Sequence, residues 1–446
     1  MRHCSVSDVE SRGLDKHGSQ SSGTQILRLR IDGTLTPEDQ SLARKKEKVG
    51  LWMIGAGGSV ASTVALGLAA MRRGMATTQG MVTALPVFAP ANFVDPATFV
   101  LGGHEVRPTT FLRAVQESHK RAKLFDEKII ERCAPELRRW QRNVRPGTLC
   151  GSGASLRKTL GELSNVVDSC PSAAVERLAA DVVAFGRRHR LDHIIVIHLA
   201  STEPPLKETS VHVHWNKLER SMNRKGSRVV PSSTLYALAA IEANASYINF
   251  TPSAGIGVPA VRELAEQRGI SYMGNDGKTG ESLVKTVLAP MFAMRNLAVR
   301  GWVGQNILGN RDGEALRNPD VRRSKIQTKD KIVSQIMGYK PTSNVSIDYV
   351  PSLDDWKVAW DFIHFEGFMG TLMSLQFTWQ GSDSILAAPL VIDLARLAAW
   401  ERRYQRSGVM GHLAFFFKDP MKSKAYSLFD QWSGLIEHVC GATQHS

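Results

Sequence analysis

The sequence predicts an α/β protein with a parallel, doubly wound sheet and a second domain of mixed α and β structure. Short apolar strands alternate with helices before residue 281, and this alternation is typical of parallel sheets that carry helices on both faces. Two runs of β-forming residues follow between 345 and 379, where the alternation has ended. The chain of 446 residues has an ordinary globular composition, 43% hydrophobic and 22% charged, and is long enough for two to three domains.

The first predicted unit is a strand, a glycine turn and a helix. Residues 49–54 form a short apolar run, 55–58 are rich in glycine, and 60–71 form a helix of Ala and Leu that ends before Gly74. The preceding segment, 1–45, is rich in Ser, Gly and charge and shows no sustained periodicity. We therefore expect a flexible extension there.

Further units of the same kind follow along the chain. Helices are predicted at 179–188, 232–243, 258–268 and 282–294, and strands at 193–199, 246–250, 270–273 and 297–303. A polar loop is predicted at 305–313, and β-forming runs follow it at 345–350 and 371–379.

The end of the chain returns to the helix and strand pattern of the first domain. A helix is predicted at 385–400 and a strand at 413–417. The predicted domain bounds are therefore 46–282 for the first part of the sheet domain, 283–383 for an inserted domain, and 384–446 for the return.

Charge and cysteine content narrow the class of protein. Lys and Arg number 56 against 42 Asp and Glu, which gives a net charge of +14 and favours anionic partners. The basic clusters are short and scattered, so phosphorylated small molecules fit the charge at least as well as nucleic acid does. The five cysteines form no CxxC pair, no apolar run reaches the ~18–20 residues of a spanning helix, and no secretory signal is recognisable. We expect a cytoplasmic protein with no nucleic-acid or membrane partner.

The turn Gly55-Ala56-Gly57-Gly58 is the first candidate binding site. Between a strand and a helix, glycines let backbone N–H groups approach a pyrophosphate at the helix N-terminus, as in Rossmann-like dinucleotide folds. Val60 stands at the third glycine of that fingerprint, and no acidic residue follows at the usual spacing of ~20 residues. The first candidate to bind ribose hydroxyls is Glu105. A glycine turn that serves only tight packing is the alternative.

Two other motifs are weaker. Residues 274–279 are similar to a phosphate-binding loop, but Tyr272 stands where that loop needs glycine. His212 and His214 would share one face of a strand and could ligate a metal. A polar strand face is the commoner explanation, and we predict no metal site.

Four lysines are the best chemical candidates. Lys325 and Lys329 lie four residues apart and would share a helix face, Lys357 follows two aspartates, and Lys418 ends the apolar run 415–417. Solvated surface lysines are the common alternative, most of all for the first pair. Lys418, at a predicted strand end, is the better candidate for a site.

Taken in order, the motifs of this chain resemble those of the myo-inositol-phosphate synthases. The resemblance runs from about Val49 to Lys418 and covers most of the chain. It is carried by the glycine turn and by six further motifs: Asn249-x-Thr251-Pro252, Gly274-Asn275-Asp276-x-Lys278-Thr279-Gly280, Leu308-Gly309-Asn310-Arg311-Asp312-Gly313, Arg323-Ser324-Lys325, Asp355-Trp356-Lys357 and Asp383-Ser384-Ile385-Leu386-Ala387-Ala388-Pro389.

The resemblance implies an enzyme that converts glucose 6-phosphate to inositol 3-phosphate with tightly bound NAD. In that chemistry the hydroxyl at carbon 5 is oxidised, carbon 6 becomes acidic and attacks carbon 1 in an aldol closure, and the ketone is then reduced again. Desolvated lysines can accept protons, stabilise oxyanions and hold a substrate phosphate. The resemblance also implies a Rossmann-like domain, an inserted α+β catalytic domain, and homotetramers that assemble through the inserted sheet.

Carried over by position, the resemblance assigns two overlapping sets of residues. The catalytic and substrate-binding set is Lys325, Lys329, Lys357, Lys418, Asp276, Asp312 and Asp383. The cofactor-binding set is Gly55, Gly57, Gly58, Ser59, Val60, Glu105, Leu199, Ala200, Ser201, Thr202, Phe250, Thr251, Asp276, Thr279, Asn310, Arg311, Asp312, Asp355, Asp383 and Ser384.

Three departures from the family pattern keep other functions open. Arg311 replaces the second of two asparagines, Ser382 replaces a glutamate, and residues 59–61 read Ser-Val-Ala in place of an asparagine-rich turn. A related carbocyclase is the main alternative, one that closes a five-membered cyclitol ring from another sugar phosphate such as fructose 6-phosphate. A non-catalytic binding protein on this fold is the other alternative, and retention of all four lysines argues against it.

Overall fold

The computed structural model describes residues 47–152, 157, 160–309, 313 and 332–444, so the predicted extension at 1–45 lies outside the described residues. The larger sheet is made of seven strands: β1 (Val49–Ile54), β2 (Val100–Glu105), β3 (Val144–Pro146), β4 (His193–His198), β5 (Ser246–Asn249), β6 (Ser271–Gly274) and, far along the chain, β11 (Gly408–Val409). They lie in the order β11-β6-β5-β4-β1-β2-β3. Every neighbouring pair is parallel.

Helices connect these strands and cover the sheet. They are α1 (Ser59–Arg72), α2 (Phe111–Ala122), α3 (Glu127–Gln141), α4 (Pro171–His189), α5 (Trp215–Met222), α6 (Ser232–Glu242), α7 (Pro259–Gln267), α8 (Gly280–Met294), α9 (Asp383–Arg403) and α10 (Leu428–Gln444). β1 is buried along its whole length, as a strand is when both faces of a parallel sheet are covered. The predicted α/β class with a parallel, doubly wound sheet is confirmed.

A second sheet of four strands follows α8. Its strands are β7 (Ala298–Leu308), β8 (Thr342–Tyr349), β9 (Trp356–Glu366) and β10 (Leu372–Ser382), in the order β10-β9-β7-β8. β7 and β8 are parallel, and the other pairs are antiparallel. A small core of Phe292, Trp302 and Ile363 joins α8 to one face of this sheet.

The chain then returns to the larger sheet. α9 packs against α1, and β11 adds to the sheet edge beside β6. The predicted strand at 413–417 is wrong, because Gly411–Phe416 form a 3₁₀ helix whose Leu413, Ala414 and Phe416 are buried. A short apolar run does not by itself distinguish a strand from a buried turn.

Two expectations about the second sheet also need correction. The predicted polar loop at 305–313 begins too early, because β7 continues to Leu308 with Asn306 buried. The strand β9 is missing from the sequence-based prediction. Its inward face carries Asp361, whose Oδ1 accepts a hydrogen bond of 2.7 Å from the indole N–H of Trp302. A buried aspartate in mid-strand interrupts the apolar pattern on which the prediction depends.

A long connection between α1 and β2 explains the distant position of Glu105 in the sequence. It contains three 3₁₀ helices, Val82–Ala84, Pro86–Ala91 and Pro96–Thr98. The carboxylate of Asp393 in α9 holds it, because Oδ2 accepts from Val82 N (2.6 Å) and Oδ1 from Thr83 N (3.0 Å). Burial raises the pKa of Asp393 to about 6.

None of the helices in the described ranges has both the length and the apolar composition that crossing a membrane requires.

Candidate active site

A cleft of about 1020 Å³, including its open mouth, lies along the carboxyl edge of the larger sheet. Ligands of open α/β sheets bind at this edge, where the strand order reverses beside the first strand. Eleven residues of the predicted cofactor-binding set contribute to its wall: Gly55, Gly58, Ser59, Val60, Glu105, Leu199, Ala200, Ser201, Asp355, Asp383 and Ser384. Gly57 lies in an adjoining cleft that shares Gly58 and Ser59.

The glycine turn after β1 has a geometry that other residues would not tolerate. Gly55 has φ +83°, and a Cβ there would lie 2.8 Å from Ala200 Cα. A Cβ at Gly57 would lie 2.2 Å from Thr109 Cγ2 and 2.7 Å from Glu105 Oε2. The turn therefore needs glycine for close packing, and it opens the N-terminus of α1 to the cleft, as pyrophosphate binding requires.

Glu105, at the end of β2, is fixed by backbone groups. Its Oε2 accepts from Gly57 N at 2.5 Å, and its Oε1 accepts from Val106 N at 2.9 Å and Arg107 N at 3.0 Å. The guanidinium of Arg107 lies 3.3 Å from Oε1. The carboxylate therefore stands beside the glycine turn in the place where Rossmann-like folds bind ribose hydroxyls.

The start of α9 closes the opposite side of the cleft. The Asp355 carboxylate accepts from Ser384 N at 3.2 Å, from Ser384 Oγ at 2.7 Å and from the hydroxyl of Ser382. Burial raises the pKa of Asp355, and the serine hydrogen bonds act in the opposite direction. The neighbouring Asp383 lines the cleft, and Lys357 Nζ lies 3.8 Å from its Oδ1.

A second pair of charges lies where β6 ends. Lys418 Nζ donates to Asp276 Oδ1 at 2.9 Å, and Lys418 N donates to the Asp276 carbonyl at 2.8 Å. The two side chains are only 9% and 7% exposed. Asp276 Oδ2 has no hydrogen-bond partner within the described part of the chain. The pair thus leaves one buried carboxylate oxygen without a hydrogen bond.

The structure brings together only part of the predicted sets. Phe250, Thr251, Asp276 and Thr279 follow β5 and β6 along the same sheet edge but do not line the main cleft, and Thr202 is buried beside Ser201. Five further predicted residues lie outside the described residues: Asn310, Arg311, Asp312, Lys325 and Lys329.

The sequence analysis missed several residues of the cleft wall. Arg107, His104, His198, Glu203 and Tyr236 all line it. Glu203 stands at the start of α6, where its carboxylate accepts from the N–H groups of Ser232 (3.0 Å) and Ser233 (3.1 Å). Proximity in sequence to Glu105 and Thr202 could have indicated Arg107 and Glu203. The two histidines and Tyr236 carry no such signal.

The predicted strand at His212 and His214 is wrong. Ser210–His212 form a 3₁₀ helix, and His214 precedes α5. His212 Nε2 lies 2.7 Å from the Val229 carbonyl oxygen, and its Nδ1 accepts from Thr209 N at 2.9 Å. His212 is therefore a core histidine whose two ring nitrogens are both occupied.

Another group of titratable side chains lies away from the cleft. His438 Nε2 is 2.7 Å and His412 Nε2 is 3.6 Å from Glu401 Oε1. The two imidazoles stack in parallel with centroids 3.8 Å apart, so their lone pairs cannot converge on one ion. Arg406 Nη1 is 3.4 Å from the same carboxylate oxygen. The cluster is thus a buried carboxylate that pairs with the guanidinium of Arg406 and hydrogen-bonds to His438.

The observed cleft fits a dinucleotide. The glycine turn opens the N-terminus of α1 to the cleft, Glu105 stands at the ribose position, and the buried imidazole of His198 has no hydrogen-bond partner among the described residues. Gly55–Ser59, Glu105 and the segment 199–201 are the groups that would hold it.

Comparison with known proteins agrees with this cleft. A family model labelled as NAD-binding and described as myo-inositol-1-phosphate synthase matches residues 49–439. An inositol-3-phosphate synthase of Bacteroides thetaiotaomicron is 30% identical over 86% of this chain and 93% of its own length, and one of Dictyostelium discoideum is 28% identical over 84% and 80%. The crystal structure of an inositol-3-phosphate synthase from Caenorhabditis elegans, 24% identical, shares the fold with a TM-score of 0.80 over 90% of this chain and 86% of that one. The chain therefore belongs to the myo-inositol-1-phosphate synthase family, with NAD as its cofactor.

Proposed function

We propose that this protein is an NAD-dependent isomerase that cyclises glucose 6-phosphate to 1D-myo-inositol 3-phosphate. The observation that carries the proposal is the position of Asp383, which lines the cofactor cleft and faces Lys357 Nζ at 3.8 Å. Asp383 therefore lies both in the wall of the cleft that fits the dinucleotide and beside Lys357, one of the lysines to which we assign the cyclisation. Two relatives that match this chain over 93% and 80% of their own length are named inositol-3-phosphate synthases. Their names support the same activity.

The chain's own groups suit proton movement at sugar hydroxyls. NAD, when bound, supplies reversible hydride acceptance, so the cycle is redox-neutral. Lys418 Nζ holds a proton beside Asp276 Oδ1, and the unpartnered Oδ2 can accept a hydrogen bond from a substrate hydroxyl. Lys357 and Lys418 are both largely shielded from water, with side chains 12% and 9% exposed. In such an environment an ammonium group stabilises a developing oxyanion more strongly than it does in water.

A carbocyclase acting on another sugar phosphate, such as fructose 6-phosphate, is the second candidate, and one observation favours it. Ser382 stands where the family pattern has glutamate, and its hydroxyl donates to Asp355 at the start of α9. One negative charge is therefore missing next to Asp383. This change alters the electrostatic environment of the site without removing the charge pairs that the chemistry needs.

Incubation of the purified protein with NAD and glucose 6-phosphate tests the proposal. We expect phosphorus and proton NMR to show inositol 3-phosphate, with no lasting rise in absorbance at 340 nm because NADH does not accumulate. The same assay with fructose 6-phosphate is the matched comparison. A cyclitol phosphate formed only from the ketose would select the second candidate, and NADH formed in step with product would indicate an ordinary dehydrogenase.

We also propose a homotetramer that assembles through the second sheet. On the outward face of this sheet Trp360 is 37% and Leu372 57% exposed, and the rings of Trp360 and Phe362 stack with centroids 6.4 Å apart. Exposed apolar faces of this kind commonly mark protein interfaces. Light scattering on the wild type and two variants tests this assignment. Trp360→Glu alters the proposed interface, and Val167→Glu is the control, because Val167 lies outside the second sheet and is 88% exposed. Only Trp360→Glu is expected to reduce the mass, and an unchanged mass would contradict the interface.

The cytoplasmic location stays a prediction.

A further inference from the structure

Two histidines occupy matched positions in the wall of the NAD cleft. His104 in β2 and His198 in β4 are both paired in register with Ile54 of β1, from opposite sides. Both side chains are buried, at 1% exposure, and both line the cleft. They differ in their hydrogen bonds.

The hydrogen bonds of His104 are complete within the protein. The indole N–H of Trp52 donates to its Nδ1 at 3.0 Å, which leaves the proton of the neutral ring on Nε2. That Nε2 lies 3.1 Å from Asp181 Oδ2 and donates to it. His104 is therefore held by the fold and needs no ligand.

His198 has no such partners. Neither its Nδ1 nor its Nε2 makes a hydrogen bond to any described residue. The nearest aromatic ring, Tyr236, has its centroid 6.0 Å away, and the Tyr236 hydroxyl is already engaged with the backbone of Thr148 as donor and acceptor. Burial lowers the pKa of His198 to about 3, so the ring is neutral, with one donor and one acceptor.

An imidazole in this state destabilises the free protein. Each buried polar group without a partner costs about 1–3 kcal/mol, whereas an apolar side chain of similar size would cost nothing of this kind. Native structures rarely leave buried polar atoms unsatisfied. His198 lines the cleft that fits the cofactor, so a bound cofactor is the candidate for the missing partner.

We propose that His198 hydrogen-bonds a neutral polar group of bound NAD, either a base edge or a ribose hydroxyl. The pyrophosphate is provided for by the glycine turn and the N-terminus of α1, and a neutral ring is a poor partner for phosphate. The inference rests on NAD in this cleft and does not depend on which sugar phosphate is cyclised. It predicts a residue that lowers the stability of the free protein and raises the affinity for NAD.

The test uses His198→Leu, with His198→Met as a second apolar variant and His198→Gln as the variant that keeps a donor and an acceptor. Thermal unfolding without NAD and calorimetric titration with NAD are measured for each, in the absence of any sugar phosphate. We expect the apolar variants to unfold roughly 2–4 °C higher without NAD and to bind NAD about tenfold more weakly. His198→Gln should bind within about threefold of wild type.

His212→Leu is the matched control, because His212 is also buried, has both ring nitrogens occupied and does not line the cleft. It should unfold at a lower temperature and bind NAD as wild type does. Titration with ADP-ribose locates the contact: a loss shared by both ligands places it on the ADP-ribose part, and a loss with NAD alone places it on the nicotinamide. Apolar variants that fold and bind both ligands as tightly as wild type would overturn the proposal, whatever sugar phosphate the enzyme uses.

Discussion

The cofactor wall, formed by residues 55–58 and Glu105, differs in construction from the charged pairs Asp276–Lys418 and Lys357–Asp383. In the cofactor wall backbone N–H groups fix the carboxylate, and glycines that admit no side chain shape the turn. The charged pairs join side chains that are far apart in sequence, 142 residues in the case of Lys418 and Asp276. In the Asp276–Lys418 pair, Asp276 Oδ2 has no hydrogen-bond partner within the described structure.

This difference in construction suits the two regions to two tasks, cofactor binding and catalysis. A wall of satisfied, rigid backbone groups binds its ligand equally well in the ground state and the transition state, so it contributes to affinity. Buried charged side chains that still have an unsatisfied hydrogen-bonding atom can stabilise the charge that develops in the transition state, so they contribute to turnover. Substitutions in the two regions should therefore separate binding from catalysis.

The largest expected effect is at Lys418. Lys418→Met and Lys418→Gln should retain NAD and bind glucose 6-phosphate, but kcat should fall at least about a hundredfold, because the oxyanion loses its donor. The glutamine variant guards against unfolding, since its amide can still donate to Asp276. Measurement of kcat, KM and deuterium exchange at carbon 6 checks the prediction.

Lys422→Met is the control for Lys418, because Lys422 pairs with Glu266 on the surface at 61% exposure. It should leave kcat unchanged. Wild-type kcat with a raised KM in both Lys418 variants would show that this lysine only anchors the substrate. From the resemblance alone we expect Lys325→Met to behave as Lys418→Met does.

The second effect, at Gly57, should appear in NAD affinity. A Cβ at this position would lie 2.7 Å from Glu105 Oε2, so the carboxylate must move from the place where it would accept from a ribose hydroxyl, and a hydrogen bond of that kind contributes about 1–3 kcal/mol. We expect Gly57→Ala to weaken NAD by about 5- to 150-fold, while kcat at saturating NAD changes little. Titration calorimetry and steady-state kinetics at high NAD measure the two quantities separately.

Gly67→Ala, in the helix α1 that follows the turn, is the control, since a Cβ there meets nothing within 4 Å. It should keep NAD affinity and slightly raise stability, because alanine is the better helix residue. If Gly57→Ala bound NAD normally, the cofactor would not depend on this turn, and the contrast between the two regions would fail.

The smallest expected effect is on acid stability and concerns His198 in the cleft wall. Its pKa is about 3 in the folded protein and about 6.5 when unfolded, so the unfolded chain binds more protons between these values. Stability is therefore lost as the pH falls below about 6.5, by roughly 1 kcal/mol between pH 7 and 5.5 for this one group. Urea unfolding of wild type and His198→Gln at both pH values should show a correspondingly smaller loss in the variant. Equal losses would mean that His198 is protonated in the folded state.

Much of the fold follows from local pattern. The strands β1, β4, β5 and β6 are apolar runs in the sequence, and they occur within one or two residues of the predicted bounds. The strand β9 could not be predicted, because its buried Asp361 is stabilised by Trp302, 59 residues away. The run at 413–417 led to the opposite error, a predicted strand that does not exist. Its apolar residues fill a buried 3₁₀ helix instead.

The residues of the candidate site also fall into those that the sequence indicates and those that only the folded structure reveals. The glycine turn, Glu105 and the four lysines could be found from the residues themselves, and the resemblance to the family added the aspartates and the catalytic roles. The cleft-lining His104 and His198 have no sequence signal, because nothing in a local window tells which strand-end histidine has partners. Lys325, Lys329, Asn310, Arg311 and Asp312 lie outside the described residues and stay predictions.

The sequence by itself determined the α/β class, the glycine turn after the first strand and the order of the family motifs, because each depends on residues close together in the chain. Only the tertiary structure decided which charges meet and which buried groups are satisfied. It paired Lys418 with Asp276, engaged His104 with Trp52 and Asp181, and left His198 without a partner among the described residues. The physical reason is that burial makes a polar group costly unless it is paired, and pairing depends on positions in space that distant segments occupy only after folding.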